Sequence, residues 1–275
     1  MNCLFCKQNS DNSKSVEHII PESLGNKEHI LPKGFVCDNC NQYFASKVEK
    51  PLLEQPYFRD VRHRARIESK KGRVPIENAI IISPELVKAE IFFDQRENKT
   101  FFLIDDEMKA KRIFSSPKGA MIVPAFDKPE NNNKILSRFL AKISIEGLLY
   151  SLIKEDGWID EVMTNPGLDE IKKYARFGEG VKFWPYHQRR IYSEETRFNH
   201  PLISMKDYEV LHEFQILPTK DNHYYFVIAI MGIEYAFSLG GPGIDSYQEW
   251  LKENHYASIL ERPYEKRKVD KFGFQ

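Results

Sequence analysis

Four cysteines, all in the first forty residues, limit most sharply how this chain can fold. Cys3, Cys6, Cys37 and Cys40 form two Cys-x-x-Cys pairs, and the chain of 275 residues holds no others. A disulfide framework would spread its cysteines along the chain, and a reducing compartment would keep them as thiols. Duplicated spacing lets four thiolates converge at about 2.3 Å on one zinc ion. The spacing favours that reading over a redox dithiol or buried free thiols. Residues 7–36 part the two pairs, a longer gap than the roughly 15–20 residues of a simple zinc ribbon. A folded insert must therefore lie between them.

Charge excludes one broad class of nucleic-acid binder. Lys and Arg total 40, Asp and Glu total 40, and the formal charge is zero, so no cationic field covers the whole surface. A nucleic-acid partner would have to be held by local patches. With 41% hydrophobic and 29% charged residues, a packed core is expected and global disorder is not. No apolar run reaches the roughly 18–20 residues that span a bilayer, and Met1–Cys6 lacks the pattern of a secretory signal. The expectation is a soluble cytoplasmic protein without a membrane partner.

The insert reads Ser15-Val16-Glu17-His18-Ile19-Ile20-Pro21, and the second knuckle closes as Val36-Cys37-Asp38-Asn39-Cys40-Asn41. Glu-His-Ile-Ile-Pro between two zinc knuckles, ending in Cys-x-x-Cys-Asn, resembles the HNH endonuclease family and its ββα-metal motif. The resemblance is strong over residues 1–50 and weak beyond. It implies a metal-dependent endonuclease that hydrolyses phosphodiester bonds in DNA. In that reading Glu17 and Asn41 hold a catalytic Mg2+ or Mn2+, His18 is the general base, and Cys3, Cys6, Cys37 and Cys40 hold a structural Zn2+ beside the site. Imidazole, with an ordinary pKa near 6.5, can accept a proton from water at neutral pH. A hard cation on oxygen ligands neutralises the phosphate and the departing oxygen. Strand alternation puts Glu17 and His18 on opposite faces, so a strand end is needed near Pro21 to serve one centre.

The chain departs from the family pattern at Glu17, where the common form has Asp, and at two further places. Pro32 stands where members commonly carry an asparagine that braces the loop between the strands; Asn26, backbone groups or His29 would take that task. Phe44 and Ala45 stand where many members carry a further histidine one turn after Asn41; Lys47 or Glu49 would complete the site instead. His29 itself reads as an exposed loop residue. By resemblance, the setting is restriction or phage defence. The partner is DNA, with a homodimer or a partner defence protein left open. The competing readings are a zinc-knuckle protein that binds nucleic acid without cutting it, and a regulatory subunit that needs a partner.

Beyond residue 58 the chemistry thins out. Residues 45–66 read as helix, broken near Pro51 or Pro56. Arg59, Arg62, Arg64, Arg66, Lys70, Lys71 and Arg73 oppose only Asp60 and Glu68 within 59–73. Of these, Arg62, Arg64, Arg66, Lys70, Lys71 and Arg73 are the expected phosphate contacts. Strands are expected at 79–82, 89–93, 100–104, 120–123, 181–192, 207–217 and 223–239, with a hairpin turn at Gly232. A long helix with an apolar stripe from Ile135 to Ile153 is capped by Asn131–Asn133 and stopped by Gly157. Shorter helices fall near 168–176 and 246–253. Trp184, Tyr186, Arg189 and Arg190 suit an aromatic core better than a nucleic-acid clamp. Lys266–Lys268 read as a polar tail. The fold class is α+β: an N-terminal ββα-metal HNH module with four-cysteine zinc knuckles (1–58), then a larger domain (59–275) of mixed or antiparallel strands and a long amphipathic helix.

Overall fold

In the computed structural model, residues 1–155, 157–198, 209–220 and 222–260 are described, together with the backbone of 266–268. The chain starts as a knuckle. Lys7 N–H closes back on Cys3 O at 2.9 Å, and Leu4 N–H donates to Phe35 O at 2.8 Å, which lays the first knuckle against the second. Strand β1 (Glu17–His18) pairs antiparallel with β2 (Ile30–Leu31), setting Glu17 opposite Leu31 and His18 opposite Ile30. A 3-10 turn, Glu22–Leu24, lies between them. Helix α1 (Asp38–Phe44) begins inside the second knuckle, where Cys37 Sγ accepts from Cys40 N. It runs on as a π-helical stretch, Ala45–Glu49, into α2 (Lys50–Leu53). The expected break comes after α2. Gln55 is extended, and Pro56 opens α3 (Pro56–Arg64) at a position where its missing N–H costs nothing.

The described chain divides into two compact units. One comprises 1–20, 26–51 and 130–275; the other comprises 21–25 and 52–129. The compact units therefore part at other places than the functional boundary expected at residue 58. The second unit holds α3 and the strands β3 (Glu77–Ser83), β4 (Val87–Asp94) and β5 (Lys99–Leu103). Helix α4 (Glu107–Phe114) and strand β6 (Ala120–Ile122) complete it. The order β5-β4-β3-β6 is antiparallel throughout. Ala79, Ile81, Ala89, Ile91 and Ile104 form its small core, with Ala110 and Ile113 of α4 packed on it.

The first unit resumes with α5 (Lys134–Leu152). Asn133 caps it, its Oδ1 accepting from Ile135 N and Leu136 N. Then come α6 (Trp158–Thr164) and α7 (Asp169–Phe177). Gly157 caps the start of α6 rather than ending α5. An antiparallel sheet follows, with strands β7 (Tyr186–Arg190), β9 (His212–Pro218), β10 (Tyr224–Ile230) and β11 (Ile233–Ser238); β8 (Thr196–Phe198) lies outside it. The order is β7-β11-β10-β9. Met231 and Gly232, both at positive φ, make the tight turn between β10 and β11. Helix α8 (Asp245–Glu253) follows, and β12 (Lys266–Lys268) pairs with β8.

Helix α5 is the centre of this unit. Its apolar stripe is buried as the periodicity predicts, but the opposite face is buried too, including Ser137, Lys142, Ser144 and Glu146. Gly147 permits the close approach to β10, since a Cβ there would stand 2.3 Å from Phe226 Cε2. Among the described residues, no helix is long and apolar enough to cross a membrane.

Candidate active site

The two knuckles bring all four cysteine sulfurs within 4.8 Å of one another. None is in a disulfide. Cys6 Sγ and Cys37 Sγ lie 3.6 Å apart; a tetrahedron of zinc–sulfur bonds would set them roughly 3.8 Å apart. Backbone amides point at the sulfurs: Cys37 N donates to Cys3 Sγ at 3.3 Å and Cys40 N to Cys37 Sγ at 3.4 Å. The side-chain hydrogen bond with Cys40 draws the Cys3 thiol down to about 4, and the same bond pushes Cys40 up. Such a set suits a dication that accepts four thiolates. Arg176 of α7 adds a cation, with Nε 3.4 Å from Cys40 Sγ and the guanidinium 3.5 Å above the Tyr43 ring. Lys7 is paired with Asp169 at 2.7 Å, a second tie between the knuckle and α7. The cluster fits a structural zinc.

The Glu-His strand is fastened from several sides. Asp38, at the start of α1, accepts from Lys14 N and Ser15 N at 3.1 and 2.9 Å. It also accepts from the Ser15 hydroxyl, and these bonds hold its carboxyl below the usual range. Asn41 Nδ2 donates to Val16 O at 2.9 Å. That bond joins α1 to the residue before Glu17 and occupies the donor end of the Asn41 amide; the oxygen is the end with lone pairs for a cation. Asn26 is fully buried and braces the loop. Its Nδ2 donates to Ile20 O and His29 O, and its Oδ1 accepts from Glu28 N and His29 N. It performs the task left open by Pro32. His29 is half-buried rather than exposed, its ring 5.1 Å from Phe214 and 5.8 Å from Tyr150. Burial lowers its pKa.

Glu17 and His18 differ as strand alternation requires. Glu17 is 5% exposed, and His18 is half-buried. Behind Glu17 stands a residue with no mark in the sequence, Lys142 of α5, whose side chain is 0% exposed. Its Nζ lies 2.6 Å from Glu17 Oε1, 2.8 Å from Glu49 Oε1 and 3.1 Å from Glu146 Oε2. It also donates to His18 O at 3.1 Å and to Ile19 O at 3.4 Å. Burial alone would discharge this amine; the carboxylates of Glu146, Glu17 and Glu49 reverse that and hold its pKa well above normal. Burial pushes the Glu146 carboxyl well up, despite the ammonium beside it. Glu49 therefore reaches the Glu17 side of the motif, whereas Lys47 is exposed. For a hard cation the donors fit in kind, a carboxylate and an amide oxygen, with Glu17 shared with Lys142.

The basic segment does not present a uniform face. Arg62 is 7% exposed, and its guanidinium donates to Ser23 O at 2.6 Å and to Leu53 O at 3.4 Å. Arg62 is therefore framework, which corrects its expected place on a phosphate-binding surface. Arg64 is forked onto buried Asp60, with Nε to Oδ1 at 3.0 Å and Nη2 to Oδ2 at 3.1 Å. Arg66 stacks on Phe93 at 4.2 Å. Lys70 stands 3.9 Å from Glu22. Lys71 and Arg73 are exposed. Elsewhere, Trp184 is buried and donates to Ser238 O, Tyr186 OH accepts from Asn133 N, and Arg189 is paired with Glu234 at 2.6 Å. These are core and framework contacts. Lys266–Lys268 lie in β12, and their side chains fall outside the described residues.

Comparison with known families agrees with the motif. The family model described as HNH endonuclease matches residues 3–57, which include the four cysteines, Glu17, His18 and Asn41. No curated protein and no solved structure matches the chain.

Proposed function

We propose that residues 1–58 are a metal-dependent endonuclease module that hydrolyses phosphodiester bonds in DNA, with residues 59–275 as its α+β companion. The observation that carries this reading is the HNH endonuclease match over residues 3–57, on a strand pair and helix that bring Glu17, His18 and Asn41 onto adjoining elements. His18 takes a proton from water as the water oxygen bonds to phosphorus. The P–O3′ bond breaks, and the 3′ oxygen keeps its electron pair and takes a proton from solvent. A bound Mg2+ or Mn2+, held by Glu17 and Asn41, would offset the charge on the phosphate and the leaving oxygen. Cys3, Cys6, Cys37 and Cys40 would hold a zinc ion that fixes the frame. Exposed Lys71 and Arg73, with Arg64, Arg66 and Lys70 beside them, would hold the backbone of the duplex without reading sequence. A cytoplasmic setting keeps the thiols reduced, and a role in phage defence or restriction, alone or with a partner, is part of this reading.

One observation favours a second reading. Glu17 is engaged by an ammonium, which suits a module that grips nucleic acid and does not cut it. Plasmid cleavage with Mg2+ or Mn2+ decides between them. The nuclease reading expects nicked and linear products, lost with chelator. It also expects a rate about 10²–10⁴-fold lower for His18→Ala at unchanged zinc content. Wild-type cutting by His18→Ala would move the site elsewhere. Binding without cleavage under every metal would leave the second reading standing.

A further inference from the structure

Helix α5 brings to the HNH motif an ammonium that carries three N–H donors and meets five acceptors. Two of these are side-chain or backbone groups of Glu17 and His18 themselves. A third, Ile19 O, belongs to the next peptide, and a fourth, Glu49, lies one helical stretch beyond Asn41. The amine therefore grips the strand on both sides of the His18 Cα. It grips the side chain of the residue before it, and the two carbonyls that follow. The same amine reaches the π-helical continuation of the helix that carries Asn41. A π-helical stretch is an uncommon departure from α-helix and recurs at functional sites; here it ends on Glu49, the residue that meets Lys142. A buried ammonium survives only when paired and hydrogen-bonded, so its partners cannot drift independently.

We infer that Lys142 is a positioning residue of the nuclease site. Acting through Glu17 and the backbone of His18 and Ile19, it fixes the direction of the His18 imidazole and the seat of Glu17. The inference rests on the nuclease reading. It also makes the catalytic module dependent on a helix outside the segment that the family model covers. Lys142 touches neither water nor phosphate in this scheme, so it acts on the chemical step and leaves DNA binding alone.

The test compares full-length wild type, Lys142→Met, and Lys142→Met with Glu49→Gln, which removes one positive and one negative charge together. Zinc content and thermal unfolding report the fold. Binding of an uncleavable duplex reports substrate affinity. Single-turnover cleavage at saturating duplex reports the chemistry. The His18 ring resonances in the absence of added divalent cation report its placement. The expected result, in at least one variant, is one zinc per chain and duplex affinity within about threefold of wild type, with cleavage down at least about tenfold. The His18 resonances should shift while those of His29 stay. A folded variant that cuts at the wild-type rate overturns the inference, as do unmoved His18 resonances. Loss of zinc and fold in both variants also overturns it, because Lys142 would then be structural only. A wild type that binds duplex and never cuts overturns the nuclease reading instead.

Discussion

Arg62 and Arg73 stand eleven positions apart in one basic stretch, yet their substitution should have opposite effects. Arg62→Ala removes a buried donor from two carbonyls and should lower stability by about 1–3 kcal/mol in urea unfolding. The salt dependence of duplex binding should not change. Lys71→Ala or Arg73→Ala should leave stability within about 0.5 kcal/mol and flatten the log–log salt slope by about one unit each. A flattened slope for Arg62→Ala would return that residue to the binding surface. Acid acts on another residue, His29. His29 has its pKa lowered from 6.5 by burial among Tyr150 and Phe214, so the folded state resists its protonation. The stability it contributes is present above about 6.5 and is lost as the pH falls through the lower folded value. His29→Leu should reduce the loss of stability between pH 7 and 5, read by thermal unfolding across that range. Single-residue reading does well where chemistry fixes the neighbours. Four cysteines at duplicated spacing can converge in few ways, and Asn26 offers two donors and two acceptors to a loop that needs them. It does poorly with Arg62, because a guanidinium can serve a phosphate or a backbone carbonyl, and nothing local decides which.

Helix α5 shows how an element can be legible in outline and hidden in detail. Its cap at Asn133 and its apolar stripe follow from asparagine's short carbonyl and the 3.6-residue period. Lys142 and Glu146, one turn apart, follow the pattern of an exposed pair on a solvated face. The structure buries both. The signal available is a lysine and a glutamate inside a run otherwise made of Ala, Ile, Leu, Ser and Gly, and it gains meaning only once Glu17 and Glu49 face it. Helix α4 escapes sequence reading for a different reason, since its eight residues span little more than two turns, too short a window for a period to stand out. The tight seat of α5 on β10 predicts the fate of Gly147→Ala. Alanine is favoured over glycine in a helix by about 1 kcal/mol, but its Cβ would fall 2.3 Å from Phe226 Cε2 and 2.8 Å from Cζ. Displacing that ring in a filled core costs about 1–3 kcal/mol. A net loss of stability is expected in urea unfolding, and a gain would mean that Phe226 has room to turn.

At the scale of the molecule, the zinc knuckles are not a separable head. They share a compact unit with 130–275, joined through Lys7 to Asp169, Arg176 to Cys40 and Lys142 to Glu17. Metal loss should therefore spread. Elemental analysis should find one zinc per chain, and Cys37→Ser should abolish it. Chelation under mild denaturant should lower the thermal midpoint of the α5–β10 core as well as that of the first fifty residues, since metal binding there supplies folding energy. Unchanged protection of the β10 and β11 amides after zinc removal would show the knuckle to be an independent appendage. The order of the chain adds a consequence in time. The last cysteine of the cluster leaves the ribosome well before Lys142, because residues 41–141 come between them. At about 5–20 residues per second the delay is roughly 5–20 seconds. Through that interval a nascent chain carries its four cysteines and His18 without the amine that we infer to align His18. If residues 1–58 cut DNA as proposed, full activity waits until α5 has been made, and a message truncated before α5 should yield a product that cuts at least about tenfold more slowly.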